Sequence, residues 1–391
     1  MLKKNLTVKF SSVLICSMCL LIIIGSPYIQ QRVNNTIKIV LEIIESVLAV
    51  NIWKVRKKEL KSIMPIFLFF CSMCLCTVVS QGIGTKVLNA VVTGGAYVVF
   101  FLFIGIIAKK YSIIYVEKII TNNMLIYMLI LDCIVIITAG KGLGGMGEAV
   151  YLLGNKFMVS YIHMFVLSMF AFRKSRKHRY IYVLTLFFYS IFMCHITDTT
   201  TGIIGCTLIF AFWFILEKFP LISNILAKPI VVLGFFLGIN AVFLLSGIIL
   251  NNSFLNDFFL ARSHTSTILS GRVPMYQIAM SAIARNPICG YGINYGIVEA
   301  ILSFGNPQNG LLKLLLDYGI VGTSFFCLML FYTFKQASSS QAISIKNGCM
   351  VFIYSMLVCS LVEINLAAIF MLACAMLNGT GNSKLNIDLM Y

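Results

Sequence analysis

The 391 residues are 60% hydrophobic and only 11% charged, with a mean hydropathy of +0.95, which excludes a soluble globular protein. The net charge of +17 would point to nucleic acid in a soluble chain. Here basic residues close apolar runs and no basic patch is interleaved with aromatics, so positive-inside topology accounts for the charge and a nucleic-acid partner is excluded.

The chain opens with Lys3 and Lys4 ahead of an apolar stretch. That stretch is long and lacks an A-x-A-like cleavage site, which predicts a first membrane helix in place of a signal peptide. Apolar runs predict spans near 10–29, 37–53, 63–80, 87–108, 119–139, 157–172, 180–196, 203–216, 230–250, 311–334, 348–363 and 365–378. The expected fold is all-α: a polytopic membrane bundle of about twelve transmembrane helices, at about 20 residues per span. It forms one membrane domain over residues 1–391, with no internal repeat.

Basic clusters at Lys54–Lys61, Lys109–Lys110 and Arg173–Arg179 fall in alternate connections. Placing them in the cytoplasm gathers most of the 30 Lys and Arg residues there. Both termini are then cytoplasmic, in a multi-pass protein of the cell membrane. One large connection, about 251–310, faces outward.

Of the 13 cysteines, only Cys289 lies in that large loop. The pairs and triplets at Cys16/Cys19 and Cys71/Cys74/Cys76 have no His or acidic companions. They read as small packing residues, so neither a metal site nor a disulfide framework is expected.

Candidate chemistry lies in the outward segments. The first, Gly140–Lys156, is Gly-rich and flanked by Lys141 and Lys156. Backbone N–H groups with a cation can hold a phosphate, although the P-loop order is missing and a plain hairpin fits equally. His195 and Asp198 are one helical turn apart at the end of a span, a spacing that can pair a base with an orienting carboxylate. In the second segment, Arg262, Arg272 and Arg285 offer planar donor forks suited to phosphate. His264 is a further possible base there. PICGYG, at Pro287–Gly292, reads as a tight turn. Gln308 and Asn309 precede an apolar helix, as substrate ligands or as a plain Asn309 cap. Within that helix, Lys313 and Asp317 read as an i, i+4 ion pair. Asp132 is an intramembrane acid, hence a functional candidate unless neighbouring polar groups satisfy it.

At these residues the chain resembles the O-antigen ligase/polymerase superfamily. The motif there is His, then Asn, Ser or Gln, nine residues, and GxxG. Here Gln308 and Asn309 are followed by nine residues and Gly319-Ile320-Val321-Gly322. Ser270-Gly271-Arg272 and the upstream NPxxGYG resemble the Arg-bearing loop of the same superfamily. Gly154–Phe157 with the following SYIH is similar to Wzy-type capsular polymerases. The departure is Gln308, where the motif has His; an amide cannot act as a general base, which favours polymerase over ligase.

The resemblance implies a membrane glycosyltransferase of capsular or exopolysaccharide biosynthesis. It would move a growing glycan from undecaprenyl diphosphate to the next lipid-linked oligosaccharide repeat unit, with no cofactor and no metal. Arg272, Gln308 and Asn309 would be catalytic. Arg285, Arg262, Lys156 and Lys141 would bind substrate. His195, Asp198 or His264 would supply a base. Implied partners are the undecaprenyl-diphosphate-linked repeat units, membrane lipids, and the flippase and chain-length regulator of the same pathway. An O-antigen-ligase-like transferase and a repeat-unit flippase remain alternatives.

The predicted topology makes residue 253 accessible from outside. A Ser253→Cys variant should react with an impermeant thiol reagent in intact cells above the wild-type background. Labelling only after lysis would invert the map.

Overall fold

The computed structural model describes residues 15, 43–44, 57–143, 150–151, 154–173, 179–249, 272–302 and 307–382. The helices are α1 (Lys57–Gln81), α2 (Thr85–Lys110), α3 (Ile113–Ile137), α4 (Lys156–Ala171), α5 (Arg179–Ile196), α6 (Thr200–Lys218), α7 (Pro220–Leu226), α8 (Pro229–Ile249), α9 (Arg272–Arg285), α10 (Ile297–Leu302), α11 (Gly310–Ser338), α12 (Ile343–Cys359) and α13 (Ala368–Asn382). A two-residue hairpin, β1 (Val150–Tyr151) and β2 (Gly154–Asn155), leads into α4. The fold is an all-α polytopic membrane protein.

Among the described residues, six helices are long and apolar enough to cross a membrane. A seventh is counted if α7 and α8, bent by 76° at Pro229, act as one span. Three shorter apolar helices, α4, α12 and α13, pack among them. These ten elements coincide with the ten expected spans after residue 57. The two expected near 10–29 and 37–53 lie almost wholly outside the described residues, so a count of twelve is not established.

Apolar faces set the packing. Helices α1, α2, α11 and α13 contact one another in turn. Helix α4 is surrounded by α3, α5, α6 and α12 and is buried along most of its length. The last two spans differ from expectation at their junction. Helix α12 stops at Cys359, and residues 360–367 form a non-helical connector. The connector's carbonyls receive bonds from elsewhere: Gly310 N–H donates to Ser360 O at 2.7 Å and Tyr276 Oη–H to Leu361 O at 3.3 Å.

Polar pins join the helices inside the bundle. The Asp132 carboxylate on α3 accepts from Tyr189 Oη on α5 at 2.7 Å. It meets His163 Nε2 on α4 at 2.8 Å, and His163 Nδ1 meets Ser190 Oγ at 3.1 Å. Asp132 and His163 are both buried. The intramembrane acid is therefore satisfied by neighbours, the second of the two expected outcomes. Toward the other end, Arg173 donates two bonds to Glu117 Oε1, at 2.7 and 2.9 Å. Breaking a buried pair of this kind leaves an uncompensated group and costs several kcal/mol.

Helix α11 is broken at Gly319, whose φ of 60° and ψ of −161° are closed to other residues. A break inside a membrane frees backbone groups that must find partners. Here they find the segment after α9. Tyr291 N–H donates to Leu316 O at 2.7 Å and Gly292 N–H to Asp317 O at 2.8 Å. In return Ile320 N–H donates to Pro287 O at 2.8 Å and Val321 N–H to Ile288 O at 3.1 Å. Helix α1 holds the same segment from its other side. Ser80 Oγ donates to Gly290 O, and Gln81 Nε2 to Tyr291 O, both at 2.7 Å. The expected PICGYG turn is thus a backbone splint for α11.

A Cβ at Gly319 would collide with the Ile288 carbonyl, in addition to a backbone cost of roughly 1–3 kcal/mol. Gly319→Ala should lower the unfolding temperature of the detergent-purified protein by several degrees. Gly105→Ala, where a Cβ meets open space, should leave it near wild type. Equal unfolding temperatures for Gly319→Ala and wild type would refute the splint.

Candidate functional site

The splint creates a cavity of about 280 Å³ beside the start of α11. Its polar lining is Lys86, Tyr291, Asn294, Tyr295, Lys313 and Asp317. Each comes from a different structural cause. Lys86 stands in the first turn of α2 and donates to Asn294 O at 2.8 Å. Asn294 has a φ of 54°, within the Gly-rich turn that Gln81 grips through Ile293 O. Tyr291 and Tyr295 lie ring against ring, with centroids 5.3 Å apart and planes inclined by 30°. Tyr291 is fixed by its hydroxyl, which donates to Ala282 O of α9 at 2.9 Å. Tyr295 remains exposed.

Lys313 and Asp317 form the expected i, i+4 pair, with Nζ 2.8 Å from Oδ1. Asp317 is 6% exposed, yet it lines the cavity. Only Oδ1 meets Lys313; among the described residues no donor reaches Oδ2. Among the described residues no carboxylate pairs with Lys86. The cavity therefore offers one unneutralised ammonium, one carboxylate–ammonium pair and an aromatic face.

The residues singled out in the sequence are distributed differently. Asn309 is fully buried and caps α11, its Oδ1 accepting from Leu312 N–H at 2.9 Å. Its Nδ2 donates at 3.1 Å both to Asn240 Oδ1 on α8 and to Leu361 O of the connector. Both amide N–H donors and one lone pair of Oδ1 are used, so it fixes the helix start. Gln308 is half-buried with a φ of 42°, and follows Pro307 of the cavity wall.

Arg272 and Arg285 occupy the two ends of α9. At 1.5 Å per residue they stand about 20 Å apart along its axis. Arg285 is exposed and lies one turn beyond Ala282, the anchor of Tyr291. Arg272 begins the helix, away from the cavity. Arg262 and His264 lie outside the described residues.

Lys156 is engaged elsewhere. Its Nζ donates to Asp198 O at 3.1 Å and stands 3.7 Å from the Asp198 carboxylate. Lys141 is exposed, and residues 144–149 of its Gly-rich segment lie outside the described residues. The expected His195–Asp198 pairing corrects to this Lys156–Asp198 contact. Helix α5 ends at Ile196, so the one-turn spacing no longer applies; Asp198 sits in a left-handed turn with φ 50°. Both side chains are exposed. Among the described residues no three His, Cys, Asp or Glu side chains cluster to hold a metal ion.

Lys86, Tyr291 and Tyr295 were not singled out in the sequence. A signal was present: two tyrosines four apart in GYGINYG, where a turn alone needs only the glycines.

Residues 185–327 match the family model described as O-antigen ligase. The matched stretch runs from within α5 to within α11. It includes the splint, the break and every polar wall residue of the cavity except Lys86. The match supports the O-antigen ligase/polymerase superfamily, and with it a membrane glycan ligase- or polymerase-type function. No curated protein matches the chain.

Replacing Asn309 by Asp keeps the cap but removes the donor to Asn240 and Leu361, and buries a charge. Leaving such acceptors unsatisfied costs about 1–3 kcal/mol each. Asn309→Asp should therefore reduce both the yield of folded protein and its unfolding temperature, more than Gln308→Glu does. Unchanged stability of Asn309→Asp would show that these bonds carry nothing.

Proposed function

We propose that the chain is a polysaccharide polymerase of the cell membrane. It transfers a growing glycan from undecaprenyl diphosphate to the next lipid-linked repeat unit at the outer face, with both termini in the cytoplasm. The supporting observation is the cavity at the broken helix. It lies mostly within the family-matched stretch and combines an unneutralised ammonium with groups that suit a sugar.

The leaving group of such a transfer is a diphosphate, which gains negative charge as the glycosidic bond breaks. Fixed cations aimed at that charge lower the barrier most. Lys86 is the cation of the cavity, with Arg285 at the near end of α9. Arg272, at the far end, suits the diphosphate of the second lipid-linked chain, since both substrates carry one. Gln308 contributes hydrogen bonds only, because an amide takes no proton near neutral pH.

The lipid tails need an apolar berth. A second cavity of about 480 Å³ is lined by Gly234, Phe235, Gly238, Val242, Phe243 and Leu361. It lies along α8 and ends at the connector that Asn309 and Tyr276 hold. A polyprenyl chain lying there would arrive with its head group at the start of α11. Two lipid-anchored substrates held side by side react as one assembly, which supplies proximity.

Cells lacking the protein should accumulate single lipid-linked repeats at the outer face; accumulation at the inner face would indicate a flippase. Transfer of finished glycan to an unrelated acceptor would indicate a ligase. Lys86→Met, at matched protein level, should reduce polymer formation about 100- to 1,000-fold, the typical loss of one such donor. A normal polymer ladder from Lys86→Met would remove the cavity from the reaction.

A further inference from the structure

We propose that the cavity between α2 and α11 is an acceptor-sugar subsite. It takes one pyranose ring, the non-reducing end of the incoming repeat unit, and Asp317 accepts the proton of its attacking hydroxyl. This assignment rests on the transferase reading and adds a substrate class, an orientation and a base to it.

Size sets the first limit. About 280 Å³ is roughly nine waters at about 30 Å³ each. It lies just under the range of about 300–1,000 Å³ typical of pockets for drug-sized ligands. One pyranose, with roughly a dozen non-hydrogen atoms, matches that size. The site therefore reads a terminal ring and leaves the rest of the glycan outside.

Chemistry sets the second. A pyranose has an apolar face of axial C–H groups and a rim of hydroxyls. The Tyr291–Tyr295 pair offers an aromatic surface for that face, and Tyr295 is 52% exposed. Aromatic side chains present large apolar area with a polar tip and little conformational freedom to lose. Tyr291 is already tied to α9 through Ala282 O, so the platform is preformed. A simple anion site would need no such surface. A lipid-tail site would not hold two lysines and an aspartate.

Polarity sets the third. Asp317 meets Lys313 through Oδ1, and Oδ2 has no donor among the described residues. A carboxylate is an acceptor only, so a sugar hydroxyl donating to Oδ2 completes it. The reaction then balances. The hydroxyl oxygen forms a bond to the anomeric carbon of the growing glycan. The bond from that carbon to the lipid diphosphate breaks, and the diphosphate leaves with the electron pair. The hydroxyl proton passes to Asp317. Gln308, which cannot take that proton, stands just beyond the cavity wall. The base lies two residues before the broken glycine, on the helix that Asn309 starts.

The break explains the placement. Asp317 O is occupied by Gly292 N–H, so the backbone at Asp317 is clamped to the tyrosine-bearing turn. Platform and carboxylate are thus held by one hydrogen-bonded unit.

Two measurements separate the subsite from the transferase reading. The first uses purified protein in nanodiscs and methyl pyranosides of glucose, galactose and N-acetylglucosamine, read by saturation-transfer NMR. At least one should receive saturation, retained in Tyr295→Phe and lost in Tyr295→Ala. If none binds, or binding survives Tyr295→Ala, the subsite is wrong, whatever the protein polymerises. The second uses lipid-linked single repeats extracted from cells lacking the protein. Asp317→Asn should lower kcat at least 100-fold with KM little changed. Tyr295→Ala should raise KM several-fold with kcat largely kept. Full kcat in Asp317→Asn would overturn the base assignment. Wild-type protein that binds pyranosides but extends no lipid-linked repeat would retain the subsite and sink the polymerase reading.

Discussion

Inside a membrane, no water is available to complete a backbone hydrogen bond. The break at Gly319 in α11 survives only because the segment 287–292 supplies both donors and acceptors. The two sides depend on each other. That segment has no regular structure of its own, and the α11 backbone gives it a fixed course. Helix α1 adds its outer side through Thr77, Ser80 and Gln81. Because the backbone must be completed, the tyrosines of the turn come to lie beside Lys313 and Asp317. The cavity is a by-product of backbone satisfaction.

Asn309 solves a related problem at the start of the same helix. Four N–H groups at a helix start need partners, and Asn309 satisfies one while its amide binds α8 and the 360–367 connector. The start of α11 is therefore anchored at three points within the bundle. A cavity built on such a helix keeps its dimensions, which a site on loops alone would not.

Charge is handled by separation. The Asp132–His163–Tyr189 group and the Glu117–Arg173 pair are complete within the bundle and join α3, α4 and α5. Lys156 and Asp198 likewise answer each other. In the cavity, Lys86 and one oxygen of Asp317 stand beside an aromatic face and, among the described residues, meet no opposite charge and no donor respectively. The complete polar groups hold the fold, and the cavity adds an ammonium and a half-used carboxylate to them.

Hydropathy alone determined the class of fold and, among the described residues after residue 57, where the apolar helices lie. Burial of a long apolar run against lipid leaves no other stable structure. The Lys313–Asp317 pair and the turn at PICGYG were also legible, since i, i+4 spacing and glycine conformation act locally. The role of Gly319 was half legible: GIVG marked the place, but a glycine in a helix does not announce a break. Tertiary structure decided what is non-local. Asn309 gained, beyond its cap, an anchoring role because Asn240 and Leu361 arrive from distant parts of the chain. Helix α5 ended between His195 and Asp198, and Asp198 met Lys156 from a distant part of the chain. Lys86 and Tyr295 met across more than half the length of the chain because a broken helix between them needed hydrogen bonds, and no local pattern in either segment encodes that need.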